Sequence, residues 1–282
     1  RTLTGRHDIA LAWPAGEVGE GDNLVRWQPL AYQMTLNADR SRVSGDFVWP
    51  EITMDLLQKE EDSDDEPAAA AAQAARLAVA MQGMKGDFEM QLQDGLWLLA
   101  PGKAQGTFDK VTVTRAKAGA APEPLLALQD LSYGTTIERS GGHLGWVNAR
   151  KAKGSIGPVV LESLELNETV SRIDVEATKM VQKVLLGAYR SADQEATLSA
   201  TEAPWAAALL EAVPQFVAAL PAYAVKLSAK MDGEQGELEY GVELKSAPDA
   251  QAIAAGDWAP ALLKNSALHA SLRLPKAWLP RL

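Results

Sequence analysis

Apolar and polar residues alternate along much of this chain. His7-Asp8-Ile9-Ala10-Leu11-Ala12-Trp13 sets Ile9, Leu11 and Trp13 on one side, and Phe88-Glu89-Met90-Gln91-Leu92 repeats the arrangement. Leu161 to Leu166 and Leu268 to Leu274 do the same. A period of two describes strands with one buried and one wet face. The first predicted strands are 5–13, 24–36, 42–49 and 51–57, separated by the glycine-rich turn Gly16 to Gly21 and by Asn37 to Arg40. A second meander is predicted at 86–93, 95–100, 107–115, 125–139, 142–152 and 157–167. Asp94-Gly95 and Ser140-Gly141-Gly142 mark hairpins within it. Strands resume at 222–231 and 235–245, joined by Asp232-Gly233-Glu234, and end with 267–274.

Helical spacing interrupts this pattern. The run 67–81 opens on Pro67, is rich in alanine and places Leu77, Ala80, Met81 and Met84 on one narrow side, with Gly83 and Gly86 closing it. It reads as a helix lying on the sheet, with a disordered alanine-rich tether as the alternative. Residues 174–190 return Val181, Val184, Leu185 and Ala188 every three or four positions, which predicts a helix with that side against the sheet. Thr201 to Leu220 repeats the behaviour across Pro214. A short helical stretch spans 248–264, and 275–280 starts another. Strand runs separated by helices argue for an α+β fold: a large, mostly antiparallel, curved sheet of meanders with a few amphipathic helices packed on it. Residues 1–282 are read as one elongated domain, with an internal sub-boundary near 58–85 as an option.

Composition narrows the function classes. Hydrophobic residues make up 47% of the 282 positions, enough for a core and against wholesale disorder. The net charge of -10 and the lack of any basic-aromatic cluster argue against nucleic acid as a partner. The densest charge run, Glu60 to Glu66, lacks the spacing and central glycine of a calcium loop and reads as a solvated segment. Without cysteine there is no disulfide, thiolate nucleophile or cysteine-held metal. Cysteine usage does not fix the compartment. The chain has no apolar run of membrane-spanning length. It begins without Met and already strand-like, which reads as a fragment of something longer.

Candidate chemistry is sparse. His7, His143 and His269 fall in separate strands, and none has a metal-ligand neighbour at a motif spacing. Gly141-Gly142-His143-Leu144-Gly145 lies between strands and reads as a turn, not an anion cradle. Glu162 with Glu165, and Glu237 with Glu239, are the pairs a glycosidase reading would use, but the second alternates with Leu238 and Tyr240 like a solvent face. The expectation is a protein that is not an enzyme, with no metal and no cofactor. Eight tryptophans are dispersed over the elements. They read as packing residues, or, for Trp13, Trp27, Trp97 and Trp146, as the lining of an apolar ligand groove on the sheet.

Several phrases together resemble the YdgA/YihF-like family of bacterial proteins of unknown function. They are Pro29-Leu30-Ala31-Tyr32, then Leu125-Leu126-Ala127-Leu128-Gln129-Asp130-Leu131-Ser132-Tyr133-Gly134, then Gly157 to Leu164, and Leu268 to Pro275 with Trp278-Leu279. The likeness covers about three quarters of the chain. It implies a single N-terminal membrane anchor followed by a large envelope-facing domain, and it brings no catalytic residue. The function expected is that of a non-enzymatic accessory or interaction protein on the periplasmic face of the inner membrane of a Gram-negative bacterium, with an envelope protein as partner. The alternative is a lipid-handling protein, which would need an apolar sheet face that no helix covers. A hydrolase is the third class.

Overall fold

The computed structural model describes residues 5–58, 75–117, 120–191, 212–249 and 258–281. Thirteen strands form one antiparallel sheet. They are β1 (His7–Trp13), β2 (Gly16–Glu20), β3 (Asn23–Trp27), β4 (Leu30–Leu36), β5 (Arg42–Gln58), β6 (Ala75–Gln91), β7 (Gly102–Lys117), β8 (Glu123–Ser140), β9 (His143–Ile156), β10 (Val159–Asp174), β11 (Ala222–Met231), β12 (Glu234–Leu244) and β13 (Ser266–Arg273). Among the described residues three α-helical segments accompany them: α1 (Val175–Ser191), α2 over 212–218, and α3 (Trp258–Lys264). The α+β class and the excess of strand over helix follow the sequence pattern.

The topology is simpler than thirteen strands suggest. β1 pairs with β4 while β2 pairs with β3, and both β3 and β4 pair with β5. Two long strands, each broken once, therefore lie side by side, and the whole sheet is a meander in chain order. At about 4.8 Å per strand it is about 48 Å wide, and its 18-residue strand β8 is about 60 Å long.

The breaks fall on one line. Extending the printed registers places Pro14 opposite Pro29, Pro29 opposite Pro50, Pro50 opposite Gly83, Gly83 opposite Asp109, and Asp109 opposite Asp130, and none of these positions is itself paired. Gly83 and Asp130 have positive φ. Proline lacks the ladder donor, so an unpaired row is where a long strand can hold one. β9 runs straight, and β10 carries two extra residues of its own, one between Leu161 and Leu164 and one between Val170 and Ile173.

One extra residue reverses the alternation of side chains. In β6 the inward positions are Leu77, Val79 and Met81 before Gly83 and Met84, Phe88 and Met90 after it. Strand β5 switches likewise from Val43, Phe47 and Trp49 to Ile52, Met54 and Leu56 across Pro50. Because neighbouring strands switch at the same level, the apolar side chains stay on one face of the sheet.

Several expectations change here. Residues 75–81 are strand, not helix, and Gly83 and Gly86 lie inside β6; residues 67–74 and the acidic run 60–66 lie outside the described residues. Segments 42–49 and 51–57 are one strand, and 24–36 is two. There is no strand at 95–100: Gln93–Gly95 is a 3-10 turn, and β6 pairs with β7 from Gly102. Asp94-Gly95 does turn the chain, with φ of 54° and 72°, but it opens a longer connection instead of a tight hairpin. Ser140 does pair with His143 and Met231 with Glu234 across tight hairpins.

Helix α1 forms where its spacing places it. Asp174 caps it, its Oδ1 accepting from the Ala177 N–H at 2.8 Å. The buried side, however, is Val175, Ala177, Thr178 and Gln182, while Leu185 is 42% exposed. Gln182 decides this: its Oε1 accepts from the Trp97 and Leu98 N–H groups at 2.8 and 3.0 Å, and its Nε2 donates to the Gly95 carbonyl at 2.7 Å. The helix thus faces the 92–101 connection. Of the other predicted helices, residues 201–211 and 250–257 lie outside the described residues, 212–218 and Trp258–Lys264 are helical, and the start at 275–280 is a 3-10 helix (Lys276–Arg281).

Candidate functional site: an open apolar face

The two faces of the sheet differ in kind. On one, Arg42 pairs with Glu89, Lys151 with Glu165, Lys226 and Arg273 with Glu237, and Arg26 with Glu17 and Asp55. Such exposed pairs contribute little stability each but mark a wet surface. The candidate acids of the sequence belong to it: Glu162 is held by Lys230 at 2.8 Å and by the Gly233 N–H at 2.6 Å, and these contacts keep its carboxyl below the ordinary range. Clefts lie on this polar side, around Asp46, Lys85, Asp87 and Lys151 and around Glu89, Lys103 and Arg139.

The opposite face is apolar. One row reads Leu11, Tyr32, Phe47, Gly86, Gly106 and Tyr133 across β1 to β8, passes Arg150 on β9, then continues through Leu166, Leu227, Leu238 and Leu272 to β13. The next reads Ile9, Met34, Gly45, Phe88 and Ala104, passes the polar Thr135, Asn148 and Glu168, and ends on Val225, Tyr240 and Ala270. Tyr32 and Phe88 stack at 6.2 Å between ring centres. Burial holds the Tyr32 and Tyr133 hydroxyls above their ordinary value.

Among the described residues, coverage is confined to the ends. Leu96 and Leu99 of the 92–101 connection, with Val175 of α1, pack on Leu144 and Ile173. Val213, Val217 and Leu262 pack on Leu244. At the opposite end Trp278 packs on Leu161, Met231, Leu164 and Ala229, its ring against Gly236. Between these caps no helix crosses the face among the described residues. Leu11 at 59% and Leu272 at 62% exposure show how open its two margins are.

The four tryptophans singled out from the sequence do not form one pocket. Trp13 stands on the apolar face at the outer strand, 62% exposed. Trp27 lies on the same face over Gly16, its indole N–H donating to the Pro14 carbonyl at 2.9 Å. Trp146 sits between Ile137 and Val170, about 29 Å from the Trp13 strand at six strand spacings. Its indole nitrogen is buried without a partner. Trp97 belongs to the 92–101 connection, not to a strand. Trp49 on the apolar face escaped the sequence reading; its alternation with Phe47 was the available signal. His7, His143 and His269 lie on β1, at the start of β9 and on β13. Among the described residues no group of three or more His, Asp or Glu side chains could hold a metal ion.

Near the middle of the apolar face is a small polar group. Arg150 reaches Glu168 at 3.0 Å, Tyr223 donates to the other Glu168 oxygen at 3.2 Å, and Thr135 donates to Asn148 at 2.7 Å. Desolvation first, and then the bond to Glu168, hold the Tyr223 hydroxyl above its ordinary value.

A family profile described as a bacterial protein of unknown function, DUF945, matches residues 2–282. The chain belongs to the DUF945 family. No curated protein and no solved structure matches it. The DUF945 profile spans every strand of the sheet, so the apolar face lies wholly within the family's region.

Proposed function

We propose that this DUF945 protein is a non-enzymatic accessory protein of the Gram-negative envelope whose apolar sheet face binds the acyl chains of lipids. In this reading it is carried on an N-terminal membrane anchor and faces the periplasm, a placement supported by the resemblance to the YdgA/YihF-like family. The observation that carries the lipid assignment is the apolar surface between the end caps, interrupted by the small polar group around Arg150 and Glu168 and left uncovered by the described helices. Contiguous apolar area of that extent is costly in water unless something is bound to it. A folded protein partner would call for shaped pockets with aromatic or Arg anchors. The polar side carries clefts, whereas a flat run of aliphatic and aromatic side chains suits a flexible hydrocarbon chain.

Native mass spectrometry of protein purified without detergent tests the proposal. Co-purified lipid, or stoichiometric uptake of added oleate, is the expected result. A bare chain that ignores added fatty acid and phospholipid, while retaining one envelope protein, would replace the lipid reading with the scaffold one.

A further inference from the structure

In the interior of the apolar face, over the four rows between the end caps, charge occurs at one place. Arg150 of β9 and Glu168 of β10 face that side; the remaining interior positions are apolar, glycine or uncharged polar. Both Glu168 oxygens are engaged, one by Arg150 and one by Tyr223, and its side chain is 21% exposed. Arg150 is half exposed and keeps further N–H donors beyond the one given to Glu168. Two positions along the same face of β9, Asn148 has its Oδ1 taken by Thr135, which leaves its amide NH2 as a donor. These two sites are about 7 Å apart.

An ion pair in apolar surroundings adds little to stability, and apolar residues of similar size commonly replace one without loss. Its placement at the centre of an otherwise uncharged surface therefore points to recognition. Glu168 holds the guanidinium in place, and the remaining donors of Arg150 and Asn148 address the space above the sheet. In a chain of net charge -10, Arg150 supplies the face's interior with its one cation among the described residues.

We propose that Arg150 and Asn148 seat the oxyanionic head group of an amphiphile whose hydrocarbon chain lies along the neighbouring apolar rows. This rests on the acyl-chain reading above and adds to it a class of ligand: single-chain or phospholipid anions, with a carboxylate or phosphate head. Guanidinium geometry matches both heads, and a charge-assisted bond is the stronger kind of hydrogen bond.

The test is titration of the purified protein with oleate, oleoyl lysophosphatidic acid and uncharged monoolein, together with acetate and inorganic phosphate as heads without chains. The two anionic lipids are expected to bind about tenfold or more tightly than monoolein. Arg150→Met should bring them to the monoolein level without changing monoolein itself, while Arg150→Lys keeps part of the preference. Acetate and phosphate should not compete at concentrations equal to the lipid. The tighter of the two anionic lipids then assigns the head as carboxylate or phosphate. Equal affinity of the unaltered protein for all three lipids would overturn the head-group seat and leave the acyl-chain reading standing. So would a preference that survives in Arg150→Met. Binding of none of the three lipids would remove both.

Discussion

Gly83 in β6 lies against Asp109 in β7, and a Cβ at Gly83 would overlap the Asp109 carboxylate. Its φ of +65° also lies where side-chain-bearing residues are strained. Gly83→Ala should therefore destabilise the protein by about 1–3 kcal/mol in urea unfolding. Deleting Gly83 should do more, because it would turn Met84, Phe88 and Met90 onto the wet face or force β6 out of register with both neighbours. A deletion variant as stable as the parent would show that the residue does not set the alternation.

Helix α1 supplies a contrast between two of its own residues. Gln182 makes three hydrogen bonds to the 92–101 connection, and Leu185 is largely in water. Gln182→Leu should cost about 1–3 kcal/mol, since the part-buried N–H groups of Trp97 and Leu98 lose their acceptor. Leu185→Ala should stay within about 1 kcal/mol. Thermal or urea unfolding of the two variants side by side decides the matter, and the reverse order would place the helix on its other side.

Tryptophan emission reports on the apolar face. Trp13 is exposed there, whereas the Trp146 indole nitrogen is buried. Added oleate should shift emission to the blue, and Trp13→Phe should remove much of that shift while Trp97→Phe removes little. At a ligand concentration one hundred times the dissociation constant, stability should rise by about 2.7 kcal/mol. A shift carried by Trp97 alone would move the binding surface to the 92–101 connection.

Arg139 donates to Asp94 at 2.7 Å and ties the same connection to β8. That hydrogen bond, helped by the positive charge, lowers the Asp94 carboxyl below its ordinary 3.8, against a smaller opposing effect of burial. A carboxyl depressed in the folded state contributes stability in full above its unfolded value and loses it as pH falls through the folded value. The advantage of the parent over Asp94→Asn should therefore be constant from pH 7 to pH 5 and shrink below about pH 4. Melting temperatures across that range provide the measurement, and an advantage that grew on acidification would reverse the sign.

Much of the sheet could be read from alternation alone, because half-wet strands advertise their two faces. The largest miss among the described residues, the helical reading of 75–81, has a specific cause. The extra residue at Gly83 makes Leu77, Met81, Met84 and Phe88 recur at intervals of four, three and four, which is helical spacing produced by a strand that changes phase. Pro50 misled in the opposite way, splitting one strand into two, since proline inside a ladder is tolerated only where the partner is unpaired. The apolar face was legible in fragments, as Ile9, Leu11 and Trp13 show. Its continuity was not, because that depends on Pro50, Gly83, Asp109 and Asp130 sharing a level across strands far apart in the chain. The group of Arg150, Glu168 and Tyr223 was hidden for the same reason.

The chain-order meander also bears on how the protein is made. From β5 to β10 every strand finds its partner in the segment just completed, so pairing needs no distant piece of chain. Local pairings close quickly and with small entropy loss. The sheet can therefore grow hairpin by hairpin from its N-terminal side while later residues are still emerging. The exception is the junction of β10 with β11, where Ser171 meets Ala222 across an excursion that includes α1 and α2. Assembly should pause there, with ten strands laid down and the edge of β10 still seeking a neighbour.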